Sequence, residues 1–243
     1  MKWAPLAAGC CTVLVAGWSA FAAAATMGGA GSAGRAGSAA ADADTTIYVD
    51  AQTGFTFSQY LAKYSLNSKG MYIRIAVPSS VPASTDFDVV VQIVAPVDVG
   101  WAGLAWGGDM TKNPLAVAWG YASGGVISSR WANGHYLPQP YTGSTYEVLP
   151  AGTHSNGTHW QITAKCSGCT AYGSGSGSSL SRLSAHGSNR LAFAYAATKP
   201  TSPASNLSSF GEHSVIGYWS HDFSAGENAA FASLVAKNLK SSR

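Results

Sequence analysis

Asp86-Phe87-Asp88-Val89-Val90-Val91-Gln92-Ile93-Val94 puts Phe87, Val89, Val91 and Ile93 at every second position, the period at which side chains share one face of an extended strand. The same period recurs on either side of it. Met71, Ile73, Ile75 and Val77 alternate with Tyr72 and Arg74, and Trp160, Ile162, Ala164 and Cys166 alternate with Gln161, Thr163 and Lys165; both patterns suit half-buried antiparallel strands. Leu191, Phe193 and Tyr195 oppose Ala192, Ala194 and Ala196, and an all-alanine face lets another layer or a flat ligand come close. Further segments, Trp101 to Trp106, Leu115 to Trp119, Val126 to Trp131 and Ser214 to Trp219, are set apart by Gly, Pro, Ser and Asn clusters. Nine or more strands are expected, arranged as an all-β, two-sheet antiparallel β-sandwich. One helix signal follows: Ser224-Ala225-Gly226-Glu227 reads as a capping box, with Ala230, Phe231, Leu234, Val235 and Leu239 at helical spacing. Lys237, Lys240 and Arg243 then sit where the helix dipole favours cations.

Length and composition bound the rest. A chain of 243 residues has room for one ordinary domain plus flanking segments, and its 47% apolar content with eight Trp and eleven Tyr is that of a folded protein. Lys2, an apolar run from Leu6 to Ala16 and small residues from Ala20 to Ala25 fit a secretory signal over 1–24, cut after Ala22 or Ala24. That run is short for a spanning helix, so no membrane span is expected in the mature, extracellular protein. Residues 25–44 form a Gly/Ala/Ser-rich leader too poor in apolar surface to offset its ordering entropy. The folded domain is expected over 45–223, with the helix and tail over 224–243. Losing Lys2 lowers the formal charge from +3 to +2, and with no basic cluster nucleic acid is excluded as a partner. Cleavage also removes Cys10 and Cys11. Cys166 and Cys169 then remain in an oxidising compartment and are expected to pair with each other, a ring worth about 2 kcal/mol. Their place at the end of a strand pattern argues for a structural bond over a thioredoxin-like one. The sequons at Asn156 and Asn206 mark surface positions open to glycosylation.

No hydrolase or zinc signature is present, and the Gly173 to Gly177 run lacks the context of a nucleotide loop. Carboxylates number eleven, and nothing singles out an acid/base pair. More informative is Gly107-Gly108-Asp109-Met110-Thr111-Lys112-Asn113-Pro114, a turn-rich segment with a thioether at its centre. Met110 has two readings: a plug for the core, or a soft axial ligand for haem iron opposite a histidine. Six histidines compete. His154 and His159 flank a sequon and His186 lies in a polar loop, while His135 and His221 are turn candidates; His213 stands before an aromatic strand ending at Trp219.

The block Gly103-Leu104-Ala105-Trp106-Gly107-Gly108-Asp109-Met110, followed by Leu115-Ala116-Val117-Ala118-Trp119, resembles the haem-ligating methionine motif of the cytochrome domain of cellobiose dehydrogenase and its single-domain, DOMON-like relatives. Ser128-Ser129-Arg130-Trp131-Ala132, His159-Trp160 leading to Cys166-Ser167-Gly168-Cys169-Thr170, and Phe210-Gly211-Glu212-His213 extend the likeness over residues 45 to 225, in the same order. The resemblance implies an immunoglobulin-like sandwich with one non-covalent haem b between Met110 and His213, and Cys166–Cys169 as the family disulfide. It also implies Trp119 beside the haem. Where the family carries a propionate-binding tyrosine, His135 stands here with Tyr136 next to it, and either side chain can donate a hydrogen bond. Thr170 after Cys169 leaves no C-x-x-C-H attachment signature.

With both axial positions filled by protein, the implied activity is outer-sphere one-electron transfer. The implied donor is a flavin dehydrogenase, expected as a separate molecule because the chain carries no dinucleotide-binding G-x-G-x-x-G domain. The implied acceptor is a lytic polysaccharide monooxygenase or a ferric complex, which would make the protein an iron reductase. Two other classes compete on the residues alone: a carbohydrate-binding sandwich using exposed Trp and Tyr, and a copper oxidoreductase using His213, His221 or His135.

Overall fold

The computed structural model describes residues 44–62, 70–173 and 180–241. The signal segment, almost all of the leader and most of the Gly173 to Gly177 run lie outside the described residues.

Two sheets face each other. The first runs β1 (Thr45–Val49), β2 (Thr56–Ala62), β3 (Met71–Pro78), β4 (Val89–Pro96), β11 (His159–Ser167) and β10 (His154–Ser155), with β9 (Thr145–Val148) also on β11 and β16 (Glu227–Asn228) parallel to β3. The second runs β15 (Val215–Asp222), β14 (Ser188–Ala196), β5 (Trp101–Ala105), β6 (Pro114–Tyr121), β7 (Gly124–Trp131) and β8 (Gln139–Pro140). A two-stranded ribbon of β12 (Ala171–Tyr172) and β13 (Ser181–Arg182) follows the disulfide. The antiparallel sandwich expected from the alternating runs is what forms.

The alternation decides which side chains fill the space between the sheets. Met71, Ile73, Ile75, Val77, Val89, Val91, Ile93, Trp160, Ile162 and Ala164 from the first sheet meet Leu104, Trp106, Ala116, Ala118, Leu191, Phe193, Tyr195 and Trp219 from the second. Cys166 and Cys169 are joined and buried in this core.

β3 is buried on both faces, not half-buried as its pattern suggests, and β4 beside it is buried on both faces too. Behind them Phe55, Phe57, Ala76, Val90 and Leu149 form a second core, closed by Phe231 and Val235 of the helix α1 (Phe231–Lys240). The buried Arg74 guanidinium also lies there, donating to Gln59 and Gln92 and lying 3.5 Å from the centre of the Tyr48 ring. Gln92 in turn donates to Asp50 at 3.0 Å and Thr163 at 2.9 Å, so the buried polar groups are paired.

The helix does not start at the capping box. Asp222 caps a short 3₁₀ turn instead, accepting from the Ser224 amide at 3.0 Å and the Ser224 hydroxyl at 2.6 Å. Glu227 enters β16 and holds His186 at 2.6 Å. The chain is pressed so close to β3 at Gly226 that a Cβ would stand 2.2 Å from the Ile75 carbonyl. Helix forms only after that contact ends, at Phe231, and it packs on the domain. Among the described residues no helix is long and apolar enough to cross a membrane.

Candidate cofactor site

The outer face of the second sheet carries small residues side by side. In the strand register Gly103 lies between Ala194 and Val117, and Ala105 between Ala192 and Leu115. These positions form the floor of a cavity of about 430 Å³. The alanine face of β14 is therefore turned to open space, while Leu191, Phe193 and Tyr195 fill the core behind it. Its walls come from Asp109 and Met110, from His135 to Pro138, and from Phe210 to His213, with Ile216 and Tyr218 at one side.

Met110 is carried by a braced turn. Asn113 Oδ1 accepts from the Gly107 amide at 2.8 Å, and Asn113 Nδ2 donates to the carbonyls of Asp109 at 2.8 Å and Thr111 at 2.9 Å. Lys112 is anchored to the Ala132 carbonyl at 2.9 Å. Gly108 takes φ 71°, and a Cβ there would stand 2.9 Å from the Arg190 carbonyl, so only glycine fits both the turn and the close approach. Met110 is half-buried against Ala105, Leu115, Ala132 and Ala192. It lies outside the inter-sheet core, so it is no plug for that core.

His213 stands two residues before β15 and is half-buried in the same cavity. Among the described residues neither its ring nor the Met110 sulfur has a hydrogen-bond partner, which leaves both free to ligate. His135 and Tyr136 line the cavity from the β7–β8 connection, with Tyr136 57% exposed. The structure thus brings Met110, His213, His135 and Tyr136 to one cavity.

Trp119 is not among the lining residues. It is fully buried, its indole N–H donates to the Pro203 carbonyl at 2.8 Å, and it packs with Trp101, which does line the cavity. Trp119 is therefore one layer behind the wall. Trp101 in turn packs on Phe210 with ring centres 4.9 Å apart.

The other histidines are elsewhere. His221, expected in a turn, is a fully buried member of β15; it accepts from Trp219 at 2.9 Å and its other ring nitrogen contacts the Ser58 carbonyl at 3.2 Å. Burial drives its pKa down to about 3, so it is a neutral core residue. His186 pairs with Glu227, whose hydrogen bond raises the His186 pKa. His154 is half-buried in β10, and its buried Nδ1 has no hydrogen-bond partner among the described residues. Among the described residues no three His, Cys, Asp or Glu side chains gather into a metal-binding group. Asn156 and Asn206 are both exposed.

Arg130 and Phe210 stand in two of the motifs that carry the resemblance, but the sequence alone assigns neither of them a role. Arg130 is buried on β7 and binds carbonyls of two cavity-bearing loops, and Phe210 lines the cavity above it. Beyond those motifs Arg130 reads only as an arginine within a strand, which has no chemistry of its own until the loops fold over it.

The chain is similar to known proteins in sequence and in fold. The family model of the cytochrome domain of cellobiose dehydrogenase matches residues 48–233, a span that reaches into α1. A pyrroloquinoline quinone-dependent pyranose dehydrogenase of Coprinopsis cinerea is 30% identical over 183 residues, which are 75% of this chain and 24% of that protein. The chain thus spans about a quarter of the length of the curated relatives it matches. Among solved structures, the cytochrome b domain of pyranose dehydrogenase from Coprinopsis cinerea superposes with a TM-score of 0.68 at 25% identity, covering 81% of this chain and 97% of that one. The cytochrome domain of Myriococcum thermophilum cellobiose dehydrogenase shares the fold, with a TM-score of 0.70 at 22% identity over 82% of this chain and 98% of that one.

Proposed function

The chain belongs to the family of the cytochrome domain of cellobiose dehydrogenase, and from that premise we propose that it carries one non-covalent haem b between Met110 and His213 and relays single electrons outside the cell. The observation that carries this reading is the cavity over Gly103, Ala105, Ala192 and Ala194, where a thioether and an imidazole are both unengaged and the remaining lining is mostly apolar.

The residues present fit the group. A floor of Gly and Ala admits a flat ring system that larger side chains would lift away. A soft sulfur and an aromatic nitrogen are the pair that favours a six-coordinate, low-spin iron of raised potential. Cys166 and Cys169 are tied to each other, so neither thiol is free to attach a vinyl group, which supports non-covalent binding. When bound, haem supplies a one-electron Fe(II)/Fe(III) change.

The chain's own residues do the rest. Met110 and His213 would hold the group, and with two protein ligands on its iron no position would be left for substrate, which favours outer-sphere transfer. His135 and Tyr136, which line the same cavity, could each donate a hydrogen bond to a carboxylate of the bound group. Trp119 braces Trp101, and the Asn113 bonds keep the Met110 turn in place before any cofactor arrives, which limits the reorganisation needed on binding.

The donor is a dehydrogenase acting on a reduced organic substrate. A flavin enzyme is the donor implied by the family resemblance, and a quinone-dependent one is suggested by the pyranose dehydrogenase relative. The acceptor is a copper-dependent lytic polysaccharide monooxygenase or a ferric complex. Secretion follows from the N-terminal signal pattern and suits the disulfide.

The test is reconstitution with haemin followed by absorption spectroscopy. Wild-type protein takes up one equivalent and shows low-spin bands in both redox states. Met110→Ala and His213→Ala each turn high-spin or lose the cofactor; spectra of both variants identical to wild type would refute the ligand pair.

A further inference from the structure

Arg130 carries a positive charge that nothing so far described uses. Its side chain is 2% exposed, and among the described residues no carboxylate lies within ion-pair distance of it. Its N–H groups are met by neutral oxygens alone. Nε donates to Ser128 Oγ at 2.6 Å, one terminal nitrogen to the Pro138 carbonyl at 3.2 Å, and the other to the carbonyls of Asn206 at 3.0 Å and Ser208 at 2.7 Å. Burial pulls its pKa below the usual arginine value with no anion opposing, yet arginine stays charged at any physiological pH.

Those carbonyls belong to two separate segments. Pro138 ends the wall begun by His135, and Asn206 and Ser208 lead directly into the wall from Phe210 to His213. The guanidinium also lies 5.4 Å from the centre of the Phe210 ring, which lines the cavity and packs on Trp101. A planar fork of five donors can bind three divergent carbonyls and a hydroxyl at once, which an ammonium cannot.

Burying an unpaired cation is costly, and carbonyl dipoles offset only part of the cost. The residual field passes through Phe210 into an apolar cavity, where screening is weak. We propose that Arg130 is a positioning residue that ties the His135–Pro138 and Phe210–His213 walls together, and that its uncompensated charge biases the bound cofactor toward the form holding one more electron. This rests on the haem reading above.

Four proteins test it: wild type, Arg130→Lys, Arg130→Met and Ser128→Asp. The aspartate would stand beside the guanidinium and cancel its charge while leaving the arginine in place. Midpoint potentials of the haem-loaded proteins read the charge. In Arg130→Met and Ser128→Asp the ferrous-to-ferric balance shifts about tenfold toward ferric, a fall of about 59 mV for a one-electron couple. Arg130→Lys stays within about threefold of wild type, the size of effect left when a charge is kept but slightly displaced. Backbone amide exchange of the haem-free proteins reads the clamp: in Arg130→Lys residues 135–137 and 206–213 exchange about tenfold faster, as expected from losing about 1.4 kcal/mol of hydrogen bonding.

A wild-type potential in Ser128→Asp or Arg130→Met overturns the charge role, and wild-type exchange in Arg130→Lys overturns the clamp. If Arg130→Met does not fold, Ser128→Asp alone decides the charge. If wild-type protein takes up no haem, the haem reading fails instead, and the exchange measurement still decides the clamp.

Discussion

The Trp219 indole N–H donates to Nδ1 of His221 at 2.9 Å, with both side chains buried in the core. Because Nδ1 accepts, the ring proton sits on Nε2 and points at the Ser58 carbonyl 3.2 Å away. The bond ties adjacent members of an aromatic series in which Trp219 stacks on Tyr60 with ring centres 4.4 Å apart.

This histidine makes the fold acid-sensitive. Burial first of all lowers its folded pKa to about 3, against 6.5 for the free side chain. The stability it allows is fully present above pH 6.5 and is lost as pH falls from there toward 3, because the unfolded chain binds the proton first. The total loss is roughly 5 kcal/mol. Urea unfolding at pH 7, 5.5 and 4 should show this decline. His221→Leu should be about 1–3 kcal/mol less stable at pH 7, since Trp219 loses its acceptor, but flatter over that range; an unchanged slope would place the acid sensitivity elsewhere.

His186 acts with the opposite sign. Its hydrogen bond to Glu227 raises its pKa, so the stability from that pair is fully present below the unfolded value of 6.5 and disappears as pH rises through the folded value. The pair joins the turn before β14 to β16. In Glu227→Gln the His186 titration, followed by NMR, should move down to the value of a free histidine, and the decline in melting temperature on the alkaline side should shrink. A titration that does not move would mean that the contact is not formed in solution.

Much of the fold was legible because strand alternation is a local property. Phe87, Val89, Val91 and Ile93 reach the core together, as their spacing demands. What failed depended on distant partners. Nothing near Arg74 reveals that Asp50, Gln59 and Gln92 will bury it, so β3 reads as half-exposed. Ser224 and Glu227 have the types and spacing of a capping box, but Asp222 takes the serine and His186 takes the glutamate. At the site, Met110 and His213 are 103 positions apart in the chain, and only the resemblance of their flanking motifs linked them. The same resemblance implied Trp119 beside the haem; in the structure Trp101 lines the cavity and Trp119 packs behind Trp101.

The floor is expected to be the part of the cavity least tolerant of bulk. Ala194→Phe would add a ring to the centre of a surface formed by Gly103, Ala105 and Ala192. It should leave the far-ultraviolet dichroism unchanged and weaken haem uptake at least about 100-fold, the effect of displacing a ligand by more than a few kcal/mol of overlap. Uptake as tight as wild type would mean that haem lies elsewhere.

The helix should contribute to stability and not to the site. Phe231 packs on Phe55 with ring centres 5.8 Å apart, on the far face of the first sheet. Phe231→Ala should cost about 3–4 kcal/mol in denaturant unfolding and leave the spectrum of reconstituted protein as it was. A changed spectrum would reveal a link between the two faces of the sandwich.

Iron K-edge X-ray absorption of the reconstituted protein examines the ligand pair at the metal itself. Met110–iron–His213 ligation requires one sulfur in the first shell of wild-type protein, lost in Met110→Leu, and one imidazole scattering pattern, lost in His213→Leu. A first shell without sulfur in the wild type, or one that neither substitution alters, would contradict it.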